Sequence, residues 1–197
     1  MAAAAAELSD MTELELTTRA ADDAAMLELT YRWAKKGYDA GGCPIGSVVV
    51  GPAVPGTATP GEPGGAGVVV LGAGHNGLVQ EGNPILHGEM AALRSAGRRT
   101  SRADCTLYTS LSPCSMCTGA ILMFRIPRVV VGDVSNADGP DGENIRLLRR
   151  RGVQVDVQEH AASVALCAAF CKSKPDLWSE DWGGPVPAWV RSDPKDA

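Results

Sequence analysis

The sequence predicts an α/β protein whose sheet is covered by helices on both faces. Three features carry that prediction. Short β-branched runs alternate with longer segments of helical periodicity, the pattern of a layered α/β domain. Glycine and proline cluster at the junctions between those segments, where they punctuate structure. A length of 197 residues, 45% of them hydrophobic and 21% charged, suits one soluble domain with a substantial core.

The elements follow in order. Residues 1–17 are alanine-rich and acidic and read as a mobile tail. Ala20, Ala24, Leu27, Tyr31, Ala34 and Tyr38 recur at helical spacing and form one apolar stripe, which Gly41-Gly42 ends. Ile45 to Val50 reads as a strand. Residues 51–67 hold six glycines and four prolines. Neither a helix nor an interior strand survives that composition, so a long surface loop is expected there. Val68 to Leu71 is the second strand, followed by Gly72-Ala-Gly-His-Asn76. His87 to Ala96 reads as a helix stopped by Gly97, and Cys105 to Ser110 as a strand. Ser112-Pro113 opens a helix running through Met123, since proline suits a first helical turn. Arg128 to Val131 is a strand, Glu143 to Arg151 a basic helix ended by Gly152, and Val153 to Val157 the last strand. Ala161 to Cys171 is a helix, and Asp176 to Trp182 a short final one. The domain is expected over 18–184, with residues 185–197 as a second tail.

Charge narrows the function classes. Residues 1–30 carry seven acids and one base, while the remainder carries 17 bases and 16 acids. A nucleic-acid-binding domain shows a strongly basic face, so this nearly neutral body speaks against nucleic acid. Arg146, Arg149, Arg150 and Arg151 form a small basic run of the kind that is usually solvated surface. No apolar run approaches the ~18 residues of a membrane span, and the N-terminus lacks the basic region of a secretory signal. A cytoplasmic protein is expected, with the nucleus left open. Six cysteines in such a compartment read as free thiols or metal ligands.

Three residues stand out together: His87, Cys114 and Cys117. The two cysteines lie three apart at a predicted helix start, so both sulfurs share one face. A helix N-terminus is electropositive and favours thiolates, the form that binds metal. His87 lies at another predicted helix start, so two N-termini can point at one Zn2+. A structural zinc site needs four protein ligands; a catalytic one uses three and keeps a position for water. Cys43, Cys105, Cys167 and Cys171 lack zinc-ribbon spacing, so an open, catalytic site with one zinc per chain is expected. Glu89 sits beside it in sequence, placed to accept a proton from the activated water and redeliver it. Alone, a CxxC is as often a redox pair, and an HxE is weak. The ordered combination His87-Gly-Glu89 with Pro113-Cys114-Ser-Met-Cys117 is the signature of zinc nucleobase deaminases.

On those residues the chain resembles the fungal-type cytosine deaminases of the cytidine-deaminase-like superfamily. The resemblance runs from about Tyr31 to Gly184. It rests on Gly41-Gly-Cys-Pro-Ile45-Gly46, Gly74-His-Asn76, Leu86-His-Gly-Glu89, the run TLYTSLSPCSMCTG from Thr106 to Gly119, Ile126-Pro-Arg128 and Trp178-Ser-Glu-Asp181. The tRNA adenosine deaminases share the core signature. They usually carry alanine between the histidine and glutamate and lack the C-terminal Trp/Asp element, so Gly88 and Asp181 favour a free base over a tRNA.

The resemblance implies a three-layer αβα fold around a five-stranded mixed sheet, a homodimer, and hydrolysis of cytosine to uracil and ammonia. It implies that Asn76 hydrogen-bonds the pyrimidine and that Asp181 accepts from its ring N–H or exocyclic amine. The Gly88 and Ser112 backbones would line the base edge, and Ile45, Leu111 and Trp178 would pack on the ring faces. Each has an ordinary alternative: Asn76 as a turn residue, Trp178 as core, Asp181 as a solvated acid. Two departures from the family stand out. Its members place a phenylalanine over the mouth shortly after the fourth strand, where this chain has Ala137. Ser179 follows Trp178 where an aromatic is familiar. Both changes predict a wider mouth, which keeps guanine, a related amino-heterocycle or tRNA adenosine as rival substrates. The rival of another class is an inactive zinc-binding scaffold subunit, which the intact Glu89 argues against.

Overall fold

The structure, a computed structural model, describes residues 11–20, 22–52, 67–137 and 139–182. The chain order is α1 (Glu13–Thr17), α2 (Asp23–Asp39), β1 (Gly46–Pro52), β2 (Val68–His75), α3 (Gly88–Ala96), β3 (Thr106–Thr109), α4 (Ser115–Met123), β4 (Arg128–Val131), α5 (Glu143–Arg150), β5 (Gln154–Val157), α6 (Ala161–Ser173) and α7 (Pro175–Asp181). The five strands form one sheet in the order β2-β1-β3-β4-β5. β1 pairs antiparallel with both β2 and β3, and β3, β4 and β5 run parallel. The sheet is therefore mixed, as expected.

Successive strand residues point to opposite faces, and both faces are apolar here. Val49, Leu107, Val129 and Val131 pack on one side against Ala92 and Leu93 of α3, Ile121 of α4 and Ile145 and Leu148 of α5. Val48, Val50, Tyr108 and Val130 pack on the other against Met26, Leu27 and Leu29 of α2. Burial on both faces makes the strands near-continuous hydrophobic runs and yields three layers.

Most element ends shift by one or two residues, β1 running on through Gly51 and Pro52 of the expected loop, and four boundaries differ in ways that carry a physical reason. The tail expected over 1–17 is overturned at its end: Glu13–Thr17 is helical and Leu16 is fully buried in the α2-side core. The helix expected from Ala20 begins at Asp23, because Asp22 caps it by accepting from the Ala24 and Ala25 amides. Its buried face is also wider than the stripe, adding Met26, Leu29 and Thr30, while Ala24 is exposed. β2 continues through Gly72 and Gly74 to His75. A Cβ at Gly72 would lie 2.2 Å from the Ala96 amide nitrogen, so glycine there lets α3 press onto the strand. The helix expected from Ser112-Pro113 starts only at Ser115, with Cys114 extended as its N-cap. Most of the Gly/Pro-rich loop (53–66), residues 1–10 and the tail 185–197 lie outside the described residues. No helix among the described residues is long and apolar enough to cross a membrane.

Candidate active site

The parallel strands deliver the site at their carboxyl ends, the usual crevice of an open α/β sheet. The Thr109–Cys114 run leaves β3, and the Ser112 amide is pinned to the Asp133 carbonyl beyond β4 at 2.8 Å. His87 is the N-cap of α3 and Cys114 that of α4. Both are extended, and neither side chain caps its helix. An N-cap side chain normally satisfies a first-turn amide. Here both turn away toward a common point, with Cys117 one turn into α4. The His87, Cys114 and Cys117 ligand atoms lie within 4.8 Å of one another.

That set fits zinc. Ligand bonds of about 2.0–2.3 Å at a tetrahedral angle place a nitrogen and a sulfur about 3.6 Å apart. The Cys114 Sγ to His87 Nδ1 distance is 3.4 Å. Among the protein groups alone, Cys117 donates to Cys114, which is the thiolate of the pair. That bond and the neighbouring His87 outweigh burial and hold the Cys114 pKa at about 4, while the same bond and burial push Cys117 upward. Burial opposes charge on His87, but Cys114, Asp181 and Glu89 outweigh it and raise its pKa to about 9.

A small enclosed chamber adjoins the three ligands. Ile45, His87, Glu89, Leu111, Ser112, Cys114, Asp181 and Trp182 line it. Glu89 is 2% exposed. Burial, reinforced by the Cys114 thiolate, pushes its pKa up to about 7, within reach of proton exchange at neutrality. Asp181 forms the far wall; its Oδ1 accepts from Asn76 Nδ2 at 2.5 Å and lies 3.7 Å from His87 Nε2. Burial raises its pKa against the pull of His87. Ser112 Oγ is buried without a hydrogen-bond partner among the described residues.

Of the residues expected here, Ile45, His87, Glu89, Leu111, Ser112, Cys114 and Asp181 all line the chamber. Two do not. Asn76 is fully buried behind Asp181, its amide oxygen taken by the Leu78 N–H at 2.9 Å, so it tethers Asp181. Trp178 lies outside, edge-on to Phe170 and Trp182. With Asn136, Ala137, Ser179 and Trp182 it lines an open groove of about 470 Å3. Gly88 sits between His87 and Glu89, and a Cβ on it would lie 2.8 Å from the Ile45 carbonyl oxygen. Sequence reasoning missed Trp182, which walls both spaces and stands where Ala137 led us to expect an opening. The signal available was its spacing from Trp178, four residues along a helix and so on one face.

Comparison with known proteins fits this geometry. Residues 20–133 match the family described as cytidine and deoxycytidylate deaminase zinc-binding region. The chain belongs to this deaminase family. It is 43% identical to the cytosine deaminase of Candida albicans over 164 residues, 82% of this chain and 97% of that one. It is 30% identical over 113 residues to a tRNA-specific adenosine deaminase of Buchnera aphidicola, 56% of this chain and 65% of that one. The solved guanine deaminase of Nitrosomonas europaea shares the fold, with a TM-score of 0.57 at 20% identity over 74% of this chain and 82% of that one. The protein is thus a zinc-binding deaminase, a hydrolase acting on C–N bonds, and His87, Cys114 and Cys117 are the residues positioned to hold the ion.

Proposed function

We propose that this deaminase acts on a free nucleobase, cytosine, converting it with water to uracil and ammonia. The observation that carries the reading is the pairing, across one small chamber, of a buried glutamate poised near neutrality with a carboxylate facing it. Bound zinc would supply a Lewis acid that makes water nucleophilic at neutral pH. Glu89 then takes a proton from the attacking water, protonates ring N3, and carries the second proton to the departing amine. Asp181 accepts from the amine or the ring N–H, which selects against bases lacking that donor. Ile45 and Leu111 pack on the ring and keep water out, so the charge relay works at low dielectric. The Candida albicans relative supports cytosine, and the near-neutral body supports a free base over a tRNA. An ammonia-release assay across cytosine, cytidine, adenine, guanine and a tRNA anticodon stem-loop tests it. Release from cytosine, lost in Asp181→Ala with zinc retained, is the expected result. Inosine formation in tRNA with no release from any free base would overturn it.

We further propose a homodimer. The end of α4 leaves Met123 73% exposed and the following Phe124 37% exposed, an apolar edge suited to a second copy. Sedimentation of the wild type and of Met123→Glu tests this. A dimer that the variant weakens is expected, and a monomeric wild type would refute it.

A further inference from the structure

Glu89 has a partner that the chemistry above leaves unused. Thr109, the last residue of β3, is fully buried, and its Oγ1 lies 3.3 Å from Glu89 Oε1. The same oxygen lies 3.0 Å from the Leu111 carbonyl oxygen and accepts from Ser47 Oγ at 3.1 Å. Ser47 pairs with Thr109 across the antiparallel β1–β3 register and is fully buried as well. A hydroxyl has one hydrogen to give and two lone pairs. Ser47 occupies one lone pair, and two acceptors, Glu89 and Leu111, compete for the single hydrogen.

We propose that Thr109 is a positioning residue for Glu89, its hydroxyl holding the carboxylate in one rotamer throughout the proton relay, with the Leu111 carbonyl as the alternative acceptor. While Glu89 bears no proton, Thr109 donates to Oε1. While Oε1 carries the proton taken from water, it donates to Thr109 Oγ1, whose hydrogen turns to the Leu111 carbonyl. A main-chain amide could only donate, and a carbonyl only accept. A hydroxyl with a second acceptor at hand serves both stages, so the carboxyl need not swing between them. Ser47 keeps the hydroxyl from turning away. Leu111 also lines the chamber, so the relay and the substrate wall share one backbone segment.

The inference rests on the proton-carrying role of Glu89, and the experiment separates the two. Thr109→Val keeps the branched shape and removes the hydroxyl. On cytosine its kcat should fall about tenfold, about 1.4 kcal/mol of barrier, with KM within twofold and zinc stoichiometry unchanged. Thr109→Ser should restore kcat to within twofold. Ser47→Ala, which spares Thr109 and both of its acceptors, Glu89 and Leu111, should cost about two- to threefold. Added to Glu89→Gln, Thr109→Val should cost little more, since groups acting as a unit are not additive. If the valine variant does not fold, Thr109→Ala must show the same kcat loss. Full kcat in the valine variant, or a serine variant as slow as valine, would overturn the inference while leaving Glu89 in place. An active Glu89→Gln would overturn the underlying reading instead.

Discussion

Asp23 and Glu89 both lie in the first turn of a helix, and the protein treats them oppositely. Asp23 accepts from Arg128 Nη1 and Nη2, Tyr108 Oη and Gln158 Nε2 at 2.6–2.8 Å, and Asp156 holds the same guanidinium from β5. The Arg128 hydrogen bonds outweigh burial and hold the Asp23 carboxyl at about 2. Glu89 is more deeply buried, with one hydroxyl 3.3 Å away and a thiolate nearby, and sits at about 7. A helix N-terminus favours an anion in both places, so the dipole does not explain the difference. The partners do. A carboxylate with every lone pair engaged strengthens the fold and cannot trade protons; one left short of donors costs stability and can.

Removing the proton carrier is the harshest test of that contrast. Glu89→Gln should lose about 10³–10⁴-fold in kcat, within the range of a general acid–base group, while zinc content and melting temperature hold. Metal analysis alongside the assay decides it: loss of zinc would make Glu89 a ligand, and retained activity would end its role. The mirror experiment is Asp23→Asn, which leaves Asp156 as the one carboxylate paired with Arg128 among the described residues. It should leave kcat untouched and cost about 1–2 kcal/mol, discounted because the pair is partly exposed, or roughly 2–8 °C in Tm for a chain this long. The sign with pH follows from the depressed pKa. Asp23 stabilises fully above the ordinary value of 3.8, and that contribution fades as pH falls toward about 2. Acid titrations of wild type and Asp23→Asn should therefore draw together below the ordinary value of 3.8 and converge only as pH reaches about 2. Parallel curves would show that the network contributes nothing.

The two regions were unequally legible in the sequence. The zinc ligands and Glu89 are read from short spacings at helix starts, local features that a linear sequence displays. β4 matched its expected bounds because three consecutive valines after Arg128 favour a strand and leave no room for a helix before Gly132. The Asp23 network was invisible: Arg128 lies 105 residues away, and no periodicity announces a pair that only sheet topology brings together. The same holds for Leu16, whose burial depends on α2 and not on its acidic neighbours. Gly72 and Gly74 ended the predicted β2 too soon because glycine marks turns as well as close approaches. Only α3 lying against them shows which is meant.

A subtler break tests how closely the catalytic end is fitted. Gly88→Ala puts a Cβ 2.8 Å from the Ile45 carbonyl oxygen, so the start of α3 must shift by tenths of an ångström. His87 and Glu89 flank that position and move with it. A misplacement of 1 Å can cost about 10²-fold, so about a tenfold loss of kcat is expected here, with zinc retained. Unchanged kcat would mean that the Ile45 strand end yields and the fit is looser than the Asp23 end of the molecule.

The smallest effect belongs to the mouth. Trp182 is 44% exposed, lies 5.8 Å from Trp178 ring to ring, and is the wall common to the chamber and the outer groove. Ala137 faces only the groove, so closure falls to an aromatic from the C-terminal end. Trp182→Ala should merge the two spaces. An aromatic contact of this kind is worth about 0.5–1.5 kcal/mol beyond area, so selectivity for cytosine over bulkier amino-heterocycles should fall about two- to tenfold. Product should leave faster, since opening of the mouth often sets turnover. Ala137→Phe in the same chain fills the groove from the opposite side and should recover part of the selectivity. The ratio of kcat/KM values for cytosine and a ring-substituted analogue measures both. If Trp182→Ala leaves that ratio unchanged, the mouth is not closed by Trp182; if Ala137→Phe alone sharpens it, the position after β4 governs entry, and the contrast between a sealed chamber and an open groove is set from that side.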